Sequence, residues 1–177
     1  DADAAAKTLE RLAPGLHVKR VMWDAYTRVT SSTGNSYPDA AKAIKQQQAA
    51  GALIMNYSGH GRADQISHER VLIENDFATF NNANYPLWIT ASCDIMPFDA
   101  AGSSIGEVAL LNEKGGTMAF YGTTRTVWTD RNKAINLAFL TALMTKDNDK
   151  YISIGEAQRR AKNNLIISGQ DRTVNKL

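Results

Sequence analysis

Two residues in this chain have side chains suited to nucleophilic chemistry, His60 and Cys93. His60 stands between two glycines in "NYSGHG" (56–61), and Cys93, the single cysteine, closes "LWITASC" (87–93). A thiol has an ordinary pKa of about 8.5, so little of it is thiolate near neutral pH. A neighbouring imidazole takes the proton or stabilises the thiolate, and later protonates a leaving amine. An attacked carbonyl also needs donors for its developing charge, and backbone N–H groups beside the reacting residues supply them. Glycine lacks a Cβ, so Gly59 and Gly61 would let a substrate approach the main chain closely.

Each of these residues also has a plainer reading. "GHG" is equally well a turn carrying a solvated histidine. A lone cysteine is commonly an inert, buried small residue, and a single one cannot form an internal disulfide. His17 lies on a candidate strand and His68 in a polar loop, and both read as structural. His60 and His68 together offer two metal ligands, but no third Cys or His accompanies them. The glycines of "TGNSYPD" and "EKGGT" lack the spacing of a phosphate-binding loop. The acidic residues form no obvious catalytic pair. No metal or cofactor is expected.

The elements that must position His60 and Cys93 follow from the pattern around them. "ALIMNY" (52–57) and "LWITASC" are short continuous apolar runs, as parallel strands covered on both faces are. "LHVKRVMW" (16–23) alternates and reads as a strand, and "TMAFYG" (117–122) reads as another. Helices are expected over 38–51, begun by Pro38 and ended by Gly51, and over 103–116, capped by serine and closed by a glycine pair. Apolar spacing of three and four residues predicts further helices over 130–146 and 153–167. A short helix is expected near 74–80, with loops over 27–38 and 94–104. Alternating strands and helices argue for an α/β fold with a mostly parallel sheet flanked by helices. Ligands in such sheets gather beyond the carboxyl ends of the strands, where His60 and Cys93 would both emerge.

At 177 residues the chain suits one domain, 1–177, large enough to bury roughly 70% of its unfolded surface. Its net charge of +2 comes from scattered basic residues without interleaved aromatics, so no nucleic-acid partner is expected. No apolar run approaches the ~20 residues of a membrane span, and no signal peptide is visible. The chain starts at Asp1 without an initiator Met and reads as an excised piece.

"GALIMNYSGHG", "PLWITASCD", "GEVALLNEKGGTMAFYGTTR" and "GEAQRRAKNNL", in that order and spacing, resemble the gingipain-type cysteine peptidases. Within them the likeness runs to the PorU-type branch, the cell-surface sortases of the type IX secretion system. The resemblance implies a caspase-like fold shortened at both ends, with His60 and Cys93 as the catalytic pair. The backbone N–H groups of Gly61 and Cys93 would form the oxyanion hole, and Trp128 would line the pocket for the substrate's P1 side chain. It implies protein substrates bearing a C-terminal secretion signal, other type IX secretion surface components as partners, lipopolysaccharide or water as acyl acceptor, and a place on the outer face of the outer membrane. The family's acidic P1-pocket residue and candidate third carboxylate would lie upstream of the matched region. Asp94 follows the nucleophile where PorU-like relatives often have Glu. A purely hydrolytic endopeptidase, and a docking domain with an inert pair, are the competing expectations.

Overall fold

The computed structural model describes residues 1–32 and 34–169. In chain order the elements are α1 (Ala2–Leu12), a 3-10 turn (Trp23–Ala25), β1 (Val29–Ser31), β2 (Gly34–Ser36), α2 (Pro38–Ala50), β3 (Ile54–Ser58), β4 (Gly61–Arg62), β5 (Gln65–Ile66), β6 (Leu72–Ile73), α3 (Glu74–Thr79), β7 (Leu87–Ala91), α4 (Ile105–Leu111), β8 (Ala119–Tyr121), α5 (Thr129–Met144), β9 (Lys146–Asp147), β10 (Lys150–Tyr151) and α6 (Ile154–Ile167). They fall into two compact units, Val21–Thr126 and Asp1–Arg20 with Val127–Leu177.

The unit Val21–Thr126 is built on a parallel sheet in the order β3-β7-β8. All five residues of the central strand, "LWITA", are buried, as expected of a parallel strand covered on both faces. Phe77 of α3 meets Phe80 and Trp88 edge-on, with centroids 5.1 Å apart in both pairs. Ile44 of α2 and Ile105 and Ala109 of α4 complete that core. A buried polar chain runs through it. Trp88 Nε1–H donates to Gln48 Oε1 at 3.0 Å, and Gln48 Nε2–H donates to Asn82 Oδ1 at 3.1 Å and to the Gly116 carbonyl at 2.7 Å. The Trp88 and Gln48 side chains thereby find partners, which the low dielectric of a core demands.

Local chemistry sets the helix ends. Pro38 occupies the first turn of α2, and Gly51 ends it at φ +101°, a conformation favouring glycine. Ser104 and Glu107 form a reciprocal cap on α4. The helix expected over 103–116 stops earlier, at Leu111. Asn112 instead turns its amide to the carbonyls of Phe77 and Phe80 at 2.9 and 2.8 Å. The glycine pair serves packing beyond the helix, because a Cβ on Gly116 would stand 2.1 Å from the Ala109 carbonyl oxygen.

Two other expectations change. The alternating stretch 16–23 forms no strand. Val21 and Trp23 do pack against the core, so the apolar positions at the end of the run report burial. Alternation specifies which side chains share a face and does not by itself make a ladder. The loop over 27–38 contains a small antiparallel hairpin, β1–β2.

In the other unit, α1 and α6 each pack on α5. Ala157, Ala161 and Leu165 of α6 are buried at four-residue spacing, and Ala5, Ala6 and Leu9 are buried on α1. The expected helix to 146 ends at Met144 because a tight hairpin, β9–β10, begins there. Its turn residues Asn148 and Asp149 take φ of 49° and 62°, the primed-turn geometry that suits strand twist. No helix among the described residues is long and apolar enough to cross a membrane.

Candidate active site

Strands β3 and β7 run parallel, and their last paired residues are Ser58 and Ala91. His60 lies two positions beyond the first and Cys93 two beyond the second. Both candidates therefore leave neighbouring strands at the same edge of the sheet. The loops stay joined past the ladder: Gly59 N–H donates to the Ala91 carbonyl at 3.1 Å. One step on, a Cβ built on Gly61 would stand 2.9 Å from Cβ and from Oγ of Ser92. The bare backbone at 61 lets the histidine loop lie directly against the residue preceding Cys93.

The histidine loop is fixed from below. The Tyr57 hydroxyl donates to the His60 carbonyl at 2.6 Å, and Ser67 N–H donates to the same oxygen at 2.8 Å. Burial, with the Glu69 carboxylate second, pushes the Tyr57 phenol well above its usual range, so the hydroxyl stays protonated and donating at neutral pH. A Cβ on Gly59 would fall 2.5 Å from that hydroxyl. The glycines on either side of His60 thus have intramolecular reasons to lack a side chain, besides the substrate access expected of them.

His60 and Ser67 continue the β4–β5 ladder, whose register pairs Gly61 with Ile66 and Arg62 with Gln65. With His60–Ser67 a hydrogen-bonded position, alternation makes Gly61–Ile66 a non-hydrogen-bonded one. The Gly61 N–H accordingly points away from β5, on the outer edge of the β4-β5-β6 sheet. The two-residue turn of this hairpin is held at both carbonyls, Ala63 by Ile105 N–H at 2.8 Å and Asp64 by Glu74 N–H at 2.9 Å.

The cysteine loop is held by the segment after β8. Thr123 Oγ1–H donates to the Ser92 carbonyl at 2.5 Å. Met96 N–H reaches the Thr123 carbonyl at 3.0 Å, and Asp94 N–H reaches the Arg125 carbonyl at 3.3 Å. Asp94, directly after the thiol, sits in the left-handed region at φ 44°, and its carboxylate accepts from Thr126 Oγ1 at 2.6 Å. Arg125 forms a two-pronged pair with Asp99 at 3.0 and 2.6 Å. The Arg125 guanidinium holds the exposed Asp99 carboxyl below its usual range, chiefly through those hydrogen bonds. Cys93 itself is half-buried and His60 exposed, so reagents reach this edge.

The His68 ring, set aside as structural from its sequence, stacks on the His60 ring with centroids 4.3 Å apart and planes inclined by 12°. Imidazole lone pairs lie in the ring plane. Two stacked, nearly parallel rings send them side by side, not onto one point, so the pair does not form two arms of a tetrahedral metal site. Among the described residues no group of three or more His, Cys, Asp or Glu is placed to hold a metal ion. Trp128 belongs to the other compact unit and is 76% exposed. His17 is exposed and also lies in that unit.

A parallel α/β sheet flanked by helices, with a histidine and a cysteine following adjacent strands, is the caspase-like architecture of the gingipains. Residues 1–177 match Peptidase family C25, and the chain belongs to that family. Among solved structures it is similar to the complex of the pro- and mature domains of Porphyromonas gingivalis RgpB, with a TM-score of 0.73 at 14% identity, covering 98% of this chain and 40% of that one. It is also similar to the Arg-specific cysteine proteinase gingipain R, with a TM-score of 0.67 at 15% identity, covering 77% of this chain and 33% of that one. A further protease structure has a TM-score of 0.57 at 16% identity, over 75% of this chain and 32% of that one. The chain therefore spans well under half the length of the structures it matches. No curated protein matches it.

Proposed function

We propose that this chain carries the catalytic pair of a cysteine peptidase, with Cys93 as nucleophile and His60 as base and then acid. One observation supports this most: the two residues follow neighbouring parallel strands at the same register, with Gly61 packed against Ser92 between them. In this reading His60 accepts the thiol proton, and the Cys93 sulfur attacks the scissile carbonyl carbon. The carbonyl oxygen gains the negative charge and takes hydrogen bonds from the N–H groups of Gly61 and Cys93. Collapse breaks the C–N bond, and His60 returns the proton to the departing amine. A second nucleophile, water or an amine, then attacks the thioester and releases Cys93. Trp128, carried over from the family resemblance, would line the P1 pocket.

We further infer that the whole protein is a sortase. The quoted segments around His60, Cys93 and α6 resemble the PorU-type branch, whose members remove C-terminal secretion-signal domains and pass the acyl group to surface lipopolysaccharide. In this reading the protein sits on the outer face of the outer membrane among the other type IX secretion components. The test uses the full-length protein with a cargo bearing its signal domain. Cys93→Ala should abolish release of that domain, and the wild-type product should carry an amine-linked adduct at its new C-terminus. A free carboxylate there would replace the sortase with a hydrolytic endopeptidase. Undiminished release by Cys93→Ala would leave only a docking role.

A further inference from the structure

We propose, resting on the reading of His60 as the base for Cys93, that His68 is a positioning residue whose ring holds the His60 imidazole in one rotamer at the Cys93 edge of the sheet. The arrangement originates in the hairpin. The β4–β5 register brings Ser67 opposite His60 and bonds them at 2.8 Å. Ser67 then takes φ 65°, and the Gln65 side-chain amide holds its carbonyl at 2.9 Å. The chain turns there and lays the next side chain, His68, over the His60 ring at 4.3 Å. A left-handed conformation at a residue with a Cβ has a free-energy cost, and at Ser67 it accompanies this overlap.

Exposure separates positioning from packing. Both histidines are exposed, so the stack contributes little to the core, and substitution of a surface residue of this kind barely alters stability. The backbone of His60 is already fixed by Tyr57 and Ser67, which leaves its two side-chain torsions to be set. An exposed imidazole distributes among several staggered wells, and proton transfer needs the one that faces the thiol. A stacked ring favours one well by an amount equivalent to roughly three- to tenfold in population.

The test compares the wild-type chain with His60→Ala, His68→Ala and His68→Phe, each read two ways. One is the rate of Cys93 alkylation by iodoacetamide near neutral pH. The other is the NMR shift of the His60 ring protons, which a stacked ring moves upfield. Loss of the ring in His68→Ala should slow alkylation about three- to tenfold and move the His60 ring signals downfield. His68→Phe, which keeps a flat ring, should restore both. A wild-type rate in His68→Ala, or a rate in His68→Phe as slow as in His68→Ala, overturns the positioning role. If His60→Ala alkylates as fast as wild type, the base assignment fails, and the positioning role fails with it.

Discussion

Gly61 and Ser92 touch: a Cβ on Gly61 would lie 2.9 Å from both Cβ and Oγ of Ser92, and 3.2 Å from Ile95 Cδ1. This contact ties the loop that carries His60 to the loop that carries Cys93. Gly61→Ala should push the loops apart at a cost of about 1–3 kcal/mol, as for overpacking elsewhere. Urea midpoints measure it, and Cys93 alkylation should slow in parallel. Adding Ser92→Gly makes room for the new methyl, so the double variant should recover part of both losses. Strict additivity of the two changes would mean that the residues do not interact.

The strands, and the meeting of their ends, were legible in the sequence because continuous apolar runs such as "LWITA" report burial on both faces directly. The placing of His60 and Cys93 beyond adjacent strand ends was legible because each closely follows one of those apolar runs. His68 was not. Its overlap with His60 depends on the hairpin register, and the turn "RADQ" has none of the Asn-Gly or Asp-Gly chemistry that marks a two-residue hairpin. The bonds from Thr123, Arg125 and Thr126 to the cysteine loop were equally hidden, because they join segments about thirty positions apart through a sheet that must form first. The stretch 16–23 misled because alternation reports which side chains are buried and does not by itself specify a strand.

Tyr57 links stability to alkaline pH. Its phenol is raised above the ordinary value of about 10 by burial first and by Glu69 second. A group raised on folding contributes stability that is complete below its unfolded pKa and is lost as pH climbs towards the folded value. The wild-type chain should therefore weaken above about pH 10. Tyr57→Phe should be less stable at neutral pH by about 0.5–1.5 kcal/mol, the worth of one hydrogen bond, and should lose less on further alkalinisation. Buried Tyr121, raised in the same direction, should keep some pH dependence in that variant. Denaturant midpoints at pH 7 and above 10 check this.

Asp94 holds a left-handed backbone at φ 44° beside the thiol. Asp94→Ala keeps a Cβ in that region, without the local hydrogen bonding that eases it for Asp, and removes the acceptor for Thr126. It should cost about 1–2 kcal/mol. Asp94→Gly also loses the Thr126 bond but relieves the backbone, and should be the more stable of the two by urea unfolding. The reverse order would show that the carboxylate outweighs the backbone.

The pairing of His60 with Cys93 is tested most directly by the rate at which iodoacetamide alkylates Cys93 near neutral pH, in the wild-type chain and in His60→Ala. His60 is exposed, so its removal should leave the urea midpoint nearly unchanged. The expected result is a wild-type thiol that reacts about tenfold faster or more than the variant, because a paired imidazole accepts the thiol proton as the sulfur attacks. Equal rates in two equally stable chains would contradict the pairing.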